Sequence, residues 1–140
     1  MTPLERALWH PWRALRRLEH IVVDWARPHP TMPAATDGER VIWMDPRLTQ
    51  VERRCVLTHE LVHIEQGHRG CQPRAIEHAV RAEAARRLVT VEQLQHAMPW
   101  ALSMGELADE LWVTEMVLLD RLEGLTLEER RAVRTGPRAL

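Results

Sequence analysis

Residues 49–68 read TQVERRCVLTHELVHIEQGH, and this stretch decides how the rest of the chain is read. Thr49 with Glu52 three positions on has the form of a capping box, and Gly67 supplies a C-terminal stop, so a helix is expected from Thr49 to about Gly67. Inside it lies His59-Glu60-Leu61-Val62-His63, an HExxH arrangement. Four residues make just over one helical turn, so both imidazoles leave the same face and can grip one metal ion at about 2.0–2.1 Å each. Glu60, one step from the first imidazole, can take a proton from an activated water instead of coordinating the ion itself. The neighbours Val56, Leu57, Leu61, Val62 and Ile64 are apolar. Two imidazoles and a carboxyl group would be costly to bury among them without a partner, and a metal supplies one.

A catalytic zinc site takes three protein ligands and keeps one position open for water. Downstream candidates are His68, Cys71, Glu77, His78 and Glu83. Gly67 and His68 are both out of register for the HExxHxxGxxH pattern. Pro73 starts a further helix to about Val89, whose apolar arc is Ile76, Ala79, Val80, Ala84 and Leu88. Glu83 lies within that arc between Ala79 and Ile76, and Glu77 on its opposite flank between Ala84 and Leu88. Glu83 is therefore favoured over Glu77 as the third ligand beside His59 and His63; the bland alternative for each acid is a solvated helix charge. Cys55, one turn before His59, is expected to pack as a small hydrophobe.

Upstream of the motif, HIVVDW (20–25) and VIWMD (41–45) read as strands of a small sheet. The intervening RPHPTMPAATDG (27–38) has three prolines and an Asp37-Gly38 turn signal and reads as a long loop. VIWMD is the candidate edge strand for an extended peptide. Nearer the N-terminus, Leu4, Leu8, Trp12, Leu15 and Leu18 form a helical stripe facing the core, with Pro11 opening its second piece.

Downstream, Pro99 closes one segment, Ser103 with Glu106 opens a helix through Leu111, Thr114 caps another to about Glu123, and Thr126 with Glu129 starts a last short one before a frayed RTGPRAL tail (134–140). The expected fold class is α+β and mostly helical, with a core over 1–98 and a helical C-terminal segment over 99–140 packed against it.

Composition narrows the function classes. All 19 cations are Arg, and Lys, Asn, Phe and Tyr are absent, a bias that matches GC-rich codons rather than a demand for guanidinium groups. The formal net charge of −1 gives no general attraction to phosphate backbones. Leu107, Ala108, Leu111, Val113, Val117 and Leu122 fit helix-turn-helix spacing. Residues 103–123, however, carry Glu106, Asp109, Glu110, Glu115, Asp120 and Glu123 against Arg121 alone, so direct nucleic-acid binding is disfavoured. Cys55 and Cys71 are too few for a disulfide scaffold. The N-terminus lacks the apolar run of a signal peptide, and no stretch of about 18 apolar residues could span a membrane, so a cytoplasmic setting is expected.

The strand VIWMDPRL, the helix RRCVLTHELVHIEQGH, the segment EHAVRAEAARRLV and the segment ELADELWVTEMVLLDRLEGLT, in that order, resemble the ImmA/IrrE-type metallopeptidase family over roughly residues 38–128. Glu83-Ala84 matches the Glu-Ala segment that follows the second histidine in that family, whereas Arg87-Leu88 and Val89-Thr90-Val91 replace its usual Phe-Ala and Leu-Leu-Met-Pro. The resemblance implies a zincin-like fold and an intracellular zinc peptidase, with His59, His63 and Glu83 on the metal and Glu60 catalytic. It also implies a protein substrate such as a helix-turn-helix repressor, and beside it the short length and GC-rich bias look like an actinobacterial phage or prophage version of the family. With no Tyr in the chain, the second electrophile must be a His, an Arg or the backbone. A non-catalytic zinc-containing regulatory or anti-repressor protein is the rival reading, and a DNA-binding module the third.

Overall fold

The computed structural model describes residues 8–136. In chain order its elements are α1 (Pro11–Arg16), β1 (Val22–Asp24), β2 (Ala34–Thr36), β3 (Val41–Met44), α2 (Gln50–Glu65), α3 (Arg74–Leu88), α4 (Val91–Ala97), α5 (Met104–Leu111), α6 (Glu115–Glu123) and α7 (Leu127–Thr135). The class is α+β, with seven helices and one three-stranded mixed sheet among the described residues. Pro11 stands at the first turn of α1, where its missing N–H costs nothing. Leu4 lies outside the described residues, while Trp12, Leu15 and Leu18 pack against the buried Ile21, Ile42, Leu57 and Leu61.

The sheet order is β1-β3-β2, with β1 parallel and β2 antiparallel to β3. This corrects two expectations. The segment between the two expected strands is not all loop, because Ala34–Thr36 pairs with β3 in the register Ala34↔Met44, Ala35↔Trp43 and Thr36↔Ile42. Its prolines hid it: Pro33 precedes a three-residue edge strand, a place where proline interrupts no inner ladder. Consequently VIWM is the central strand, and β2 is an edge. The Asp37-Gly38 signal marks a real reversal between β2 and β3. Asp37 Oδ1 accepts from the backbone N–H groups of Glu39, Arg40 and Val41 at 2.9–3.1 Å, and Gly38 takes φ +81°.

Helix α2 begins as its sequence dictates. Thr49 Oγ1 accepts from the Glu52 N–H at 3.2 Å, and Glu52 Oε1 accepts from the Thr49 N–H at 2.9 Å. Beyond its C-terminus Gly67 adopts φ +72°, turning the chain back. One face of α2 sends Leu57 and Leu61 towards the sheet. Thr58, buried within α2, accepts from Trp9 Nε1 at 2.8 Å and donates to the Arg54 carbonyl at 2.9 Å, fastening the N-terminal segment to the motif helix.

The C-terminal helices are capped by Ser103, Thr114 and Thr126, each accepting from a backbone N–H three residues on, and Thr90 with Gln93 forms a further capping box on α4. Of the expected frayed tail, Arg134 and Thr135 belong to α7, and residues 137–140 lie outside the described part. Leu107, Ala108, Leu111, Val113 and Leu118 share one buried cluster with Cys55, Leu88, Val89 and Leu94, so the division near residue 98 crosses a common core. Arg121, buried on α6, donates from Nε to the Val89 carbonyl at 2.7 Å and pairs with Glu129 at 3.1 Å. The apolar spacing that resembles a helix-turn-helix is thus used for internal packing. No helix among the described residues is long and apolar enough to cross a membrane.

Leu118 is a fully buried member of this cluster. Leu118→Ala should lower the unfolding free energy by about 2–5 kcal/mol. Urea unfolding followed by circular dichroism should show a single transition moved to lower denaturant; a separate early transition for the C-terminal helices would contradict the shared core.

Candidate metal centre

Helix α2 presents His59 and His63 on one face, their ring centroids 4.9 Å apart. Helix α3 packs across that face and brings in the third group. Glu77 Oε2 lies 3.2 Å from His59 Nε2, and the two Glu77 oxygens lie 3.1 and 3.3 Å from His63 Nε2. One ligand atom from each of His59, His63 and Glu77 lies within 4.8 Å of the others, a group that could hold a metal ion. The spacing fits that purpose. Four ligands arranged tetrahedrally at about 2.0–2.1 Å from zinc stand about 3.3 Å from one another, close to these nitrogen–oxygen separations.

Glu83, expected as the third ligand, is elsewhere. Its carboxylate accepts from Arg86 Nη2 at 2.7 Å and from Arg87 Nε at 3.1 Å, and this pairing holds its pKa low against the opposing effect of partial burial. The reason is rotational. Glu77 sits two turns before Ala84 and three before Leu88, on the face of α3 that is buried, whereas Ile76 and Ala79, which made the apolar arc look centred nearer Glu83, are exposed. Small and apolar side chains on the flank had shifted the apparent centre of the arc.

His68 does not face the cluster of ligand atoms; its Nδ1 stands 3.0 Å from His63 Nδ1, behind the ring. His78 and Cys71 are exposed, and neither joins the group. Cys55 is buried in the shared core, where burial pushes its thiol pKa up, and no disulfide forms with Cys71. Burial, and for His59 also the neighbouring His63, lowers the pKa of both motif imidazoles. Their neutral, lone-pair form is therefore favoured, the form that binds metals.

Glu60 is 7% exposed, and burial, reinforced by the Glu77 charge, pushes its pKa up to about 8. No hydrogen bond among the described residues holds its carboxyl group. It opens, with His59, on a cleft of about 480 Å³ that is mostly apolar, with Ala34, Val56, Ala84 and Val117 among its walls. Arg81 and Asp120 also border this cleft. Arg81, one turn beyond Glu77 on α3, gives Nε and Nη2 to the two Asp120 oxygens at 3.1 and 2.7 Å, which leaves Nη1 without a protein partner among the described residues. Arg81 was not singled out from the sequence. Its only sequence signal is the four-residue step from Glu77, legible once Glu77 is known to face the site.

Compared with protein-family models, with curated proteins and with solved structures, the chain matches none.

The raised Glu60 pKa has a definite sign in stability. Between its ordinary value of 4.5 and about 8, the unfolded chain has released this proton while the folded chain retains it, so stability of the metal-free chain falls as pH rises through that window. In EDTA, Glu60→Gln should gain on the wild type between pH 5 and pH 8, by on the order of a few kcal/mol. Urea titrations of both chains at the two pH values check this, and an unchanging difference would refute it.

Proposed function

We propose that the chain is a zinc-dependent peptidase acting on a protein partner. The observation that supports this most is the convergence of His59 Nε2, His63 Nε2 and Glu77 with a buried Glu60 beside them that has no hydrogen-bond partner among the described residues. A two-histidine, one-glutamate set of this geometry suits zinc with one position left for water. The stretch His59-Glu60-Leu61-Val62-His63 resembles that of ImmA/IrrE-type metallopeptidases, although Glu77 stands where the resemblance implies Glu83, and from that resemblance comes a substrate such as a helix-turn-helix repressor.

When bound, the ion supplies positive charge that acidifies a water molecule and polarises a peptide carbonyl. The chain's own groups do the rest. Glu60, whose carboxyl group opens on the cleft beside His59, would be favoured as carboxylate by the charge of the bound cation, and would take the proton from the attacking water and return it to the leaving amine. The Arg81 guanidinium, held along one edge by both Asp120 oxygens, would offer its Nη1, which has no partner among the described residues, to the developing oxyanion. This fills the role that the absence of tyrosine left open among His, Arg and backbone. An extended substrate segment can pair with the free edge of β2, whose first residue, Ala34, borders the cleft. An apolar substrate side chain can then enter between Val56, Ala84 and Val117.

The purified chain should hold about one zinc ion. His59→Ala, His63→Ala and Glu77→Ala should lose it, and Glu83→Ala should keep it. Glu60→Gln should retain the metal while cleavage of the partner falls by about 10²–10⁴-fold. Metal analysis and mass spectrometry of partner fragments are the readouts. A chain with no affinity for zinc, or full cleavage by Glu60→Gln, would overturn the proposal.

A further inference from the structure

The turn after α2 carries a histidine that the chemistry above does not use. His68 returns to the motif helix by two contacts. Its backbone N–H donates to the His63 carbonyl at 3.0 Å, and its ring Nδ1 lies 3.0 Å from His63 Nδ1, with the ring centroids 5.2 Å apart. The return depends on Gly67, whose φ of +72° bends the chain back directly after the helix. It is held from the other side by the β2–β3 turn. A Cβ at Gly38 would collide with the His68 carbonyl oxygen, and Glu39 of the same turn pairs with Arg69. His68 is therefore a half-buried ring placed by backbone, not a loose surface side chain.

Two imidazole nitrogens at 3.0 Å are attractive only when one proton lies between them. Two arrangements satisfy this for neutral rings. If His68 donated, the proton of His63 would sit on Nε2, the nitrogen that faces Glu77, and His63 could not bind an ion there. If His63 donates from Nδ1, its Nε2 presents a lone pair to the site.

Resting on the reading of His59, His63 and Glu77 as a zinc site, we propose that His68 is a positioning residue for it. It accepts the His63 Nδ1–H, which fixes both the tautomer and the ring orientation of that ligand. Metal-bound histidines commonly donate their second ring nitrogen to a carboxylate or a carbonyl, and loss of such a partner weakens metal binding. Here the acceptor is another imidazole, and it lies on the far side of His63 from the ligand cluster.

Zinc affinity of the full chain, measured by competition with a chromophoric chelator, tests this. His68→Leu keeps the volume and removes the acceptor, and should bind zinc about 10–100-fold more weakly. His68→Asn, whose Oδ1 can stand in for Nδ1, should stay close to wild type, a rescue that a purely structural role would not predict. Nitrogen-15 spectra of the zinc-loaded wild-type chain should show His63 protonated at Nδ1 and His68 unprotonated at Nδ1. That measurement decides the matter even if a variant fails to fold. His68→Leu with wild-type affinity, or a proton on His68 Nδ1, would overturn the positioning role while leaving the zinc reading intact. Absence of zinc binding by the wild-type chain would remove both.

Discussion

The packing of α3 across α2 is the constraint on which the site depends. Two imidazoles one turn apart on a single helix can be had from four residues of sequence, but they leave an ion half enclosed. The third group must come from a different element, and its position is set by how two helix faces meet. Val80, Ala84 and Leu88 bury against α2 and the shared core, and Glu77 lies in line with them. The same apolar contact that stabilises the helix pair thus carries a carboxylate to within 3.3 Å of two histidine nitrogens. Burial then acts on every titratable group nearby, favouring neutral imidazoles and raising the Glu60 pKa.

Local signals in the sequence were reliable where the physics is local. Thr49 with Glu52 and Thr126 with Glu129 mark helix starts because the reciprocal hydrogen bonds involve only those residues, and the structure forms both boxes. Pro11 opens a helix for the same kind of reason. The HExxH spacing fixes where His59 and His63 point relative to each other for any helix. What could not be read was relational. The rotational setting of α3 depends on the whole interface, and the exposed Ile76 and Ala79 are enough to favour Glu83 in the sequence. The strand Ala34–Thr36 exists through its ladder with β3, a pairing that a proline-rich neighbourhood conceals.

His68 illustrates the same divide. Its distance along the chain from His63 argues against the extended motif that places a histidine on the ion, and the structure puts it behind the ligand ring instead. Two glycines far apart in sequence make that possible, Gly67 by its left-handed backbone and Gly38 by having no side chain where the two turns meet. Neither could bind an ion through a side chain, yet both shape the surroundings of His63, a residue that could.

The bond between Arg81 and Asp120 joins the ligand-bearing helix to a helix of the C-terminal segment, and Thr114, Met116 and Val117 of that segment form one side of the same cleft. On the proposed reading, the residues that would hold the ion and this wall of the cleft thus lie on different helices of one shared core. If the chain is the peptidase proposed, exchanges at Met116 or Val117 would redirect which polypeptide is accepted while the side chains that would grip the ion stay as they are, letting selectivity drift without rebuilding the reactive centre.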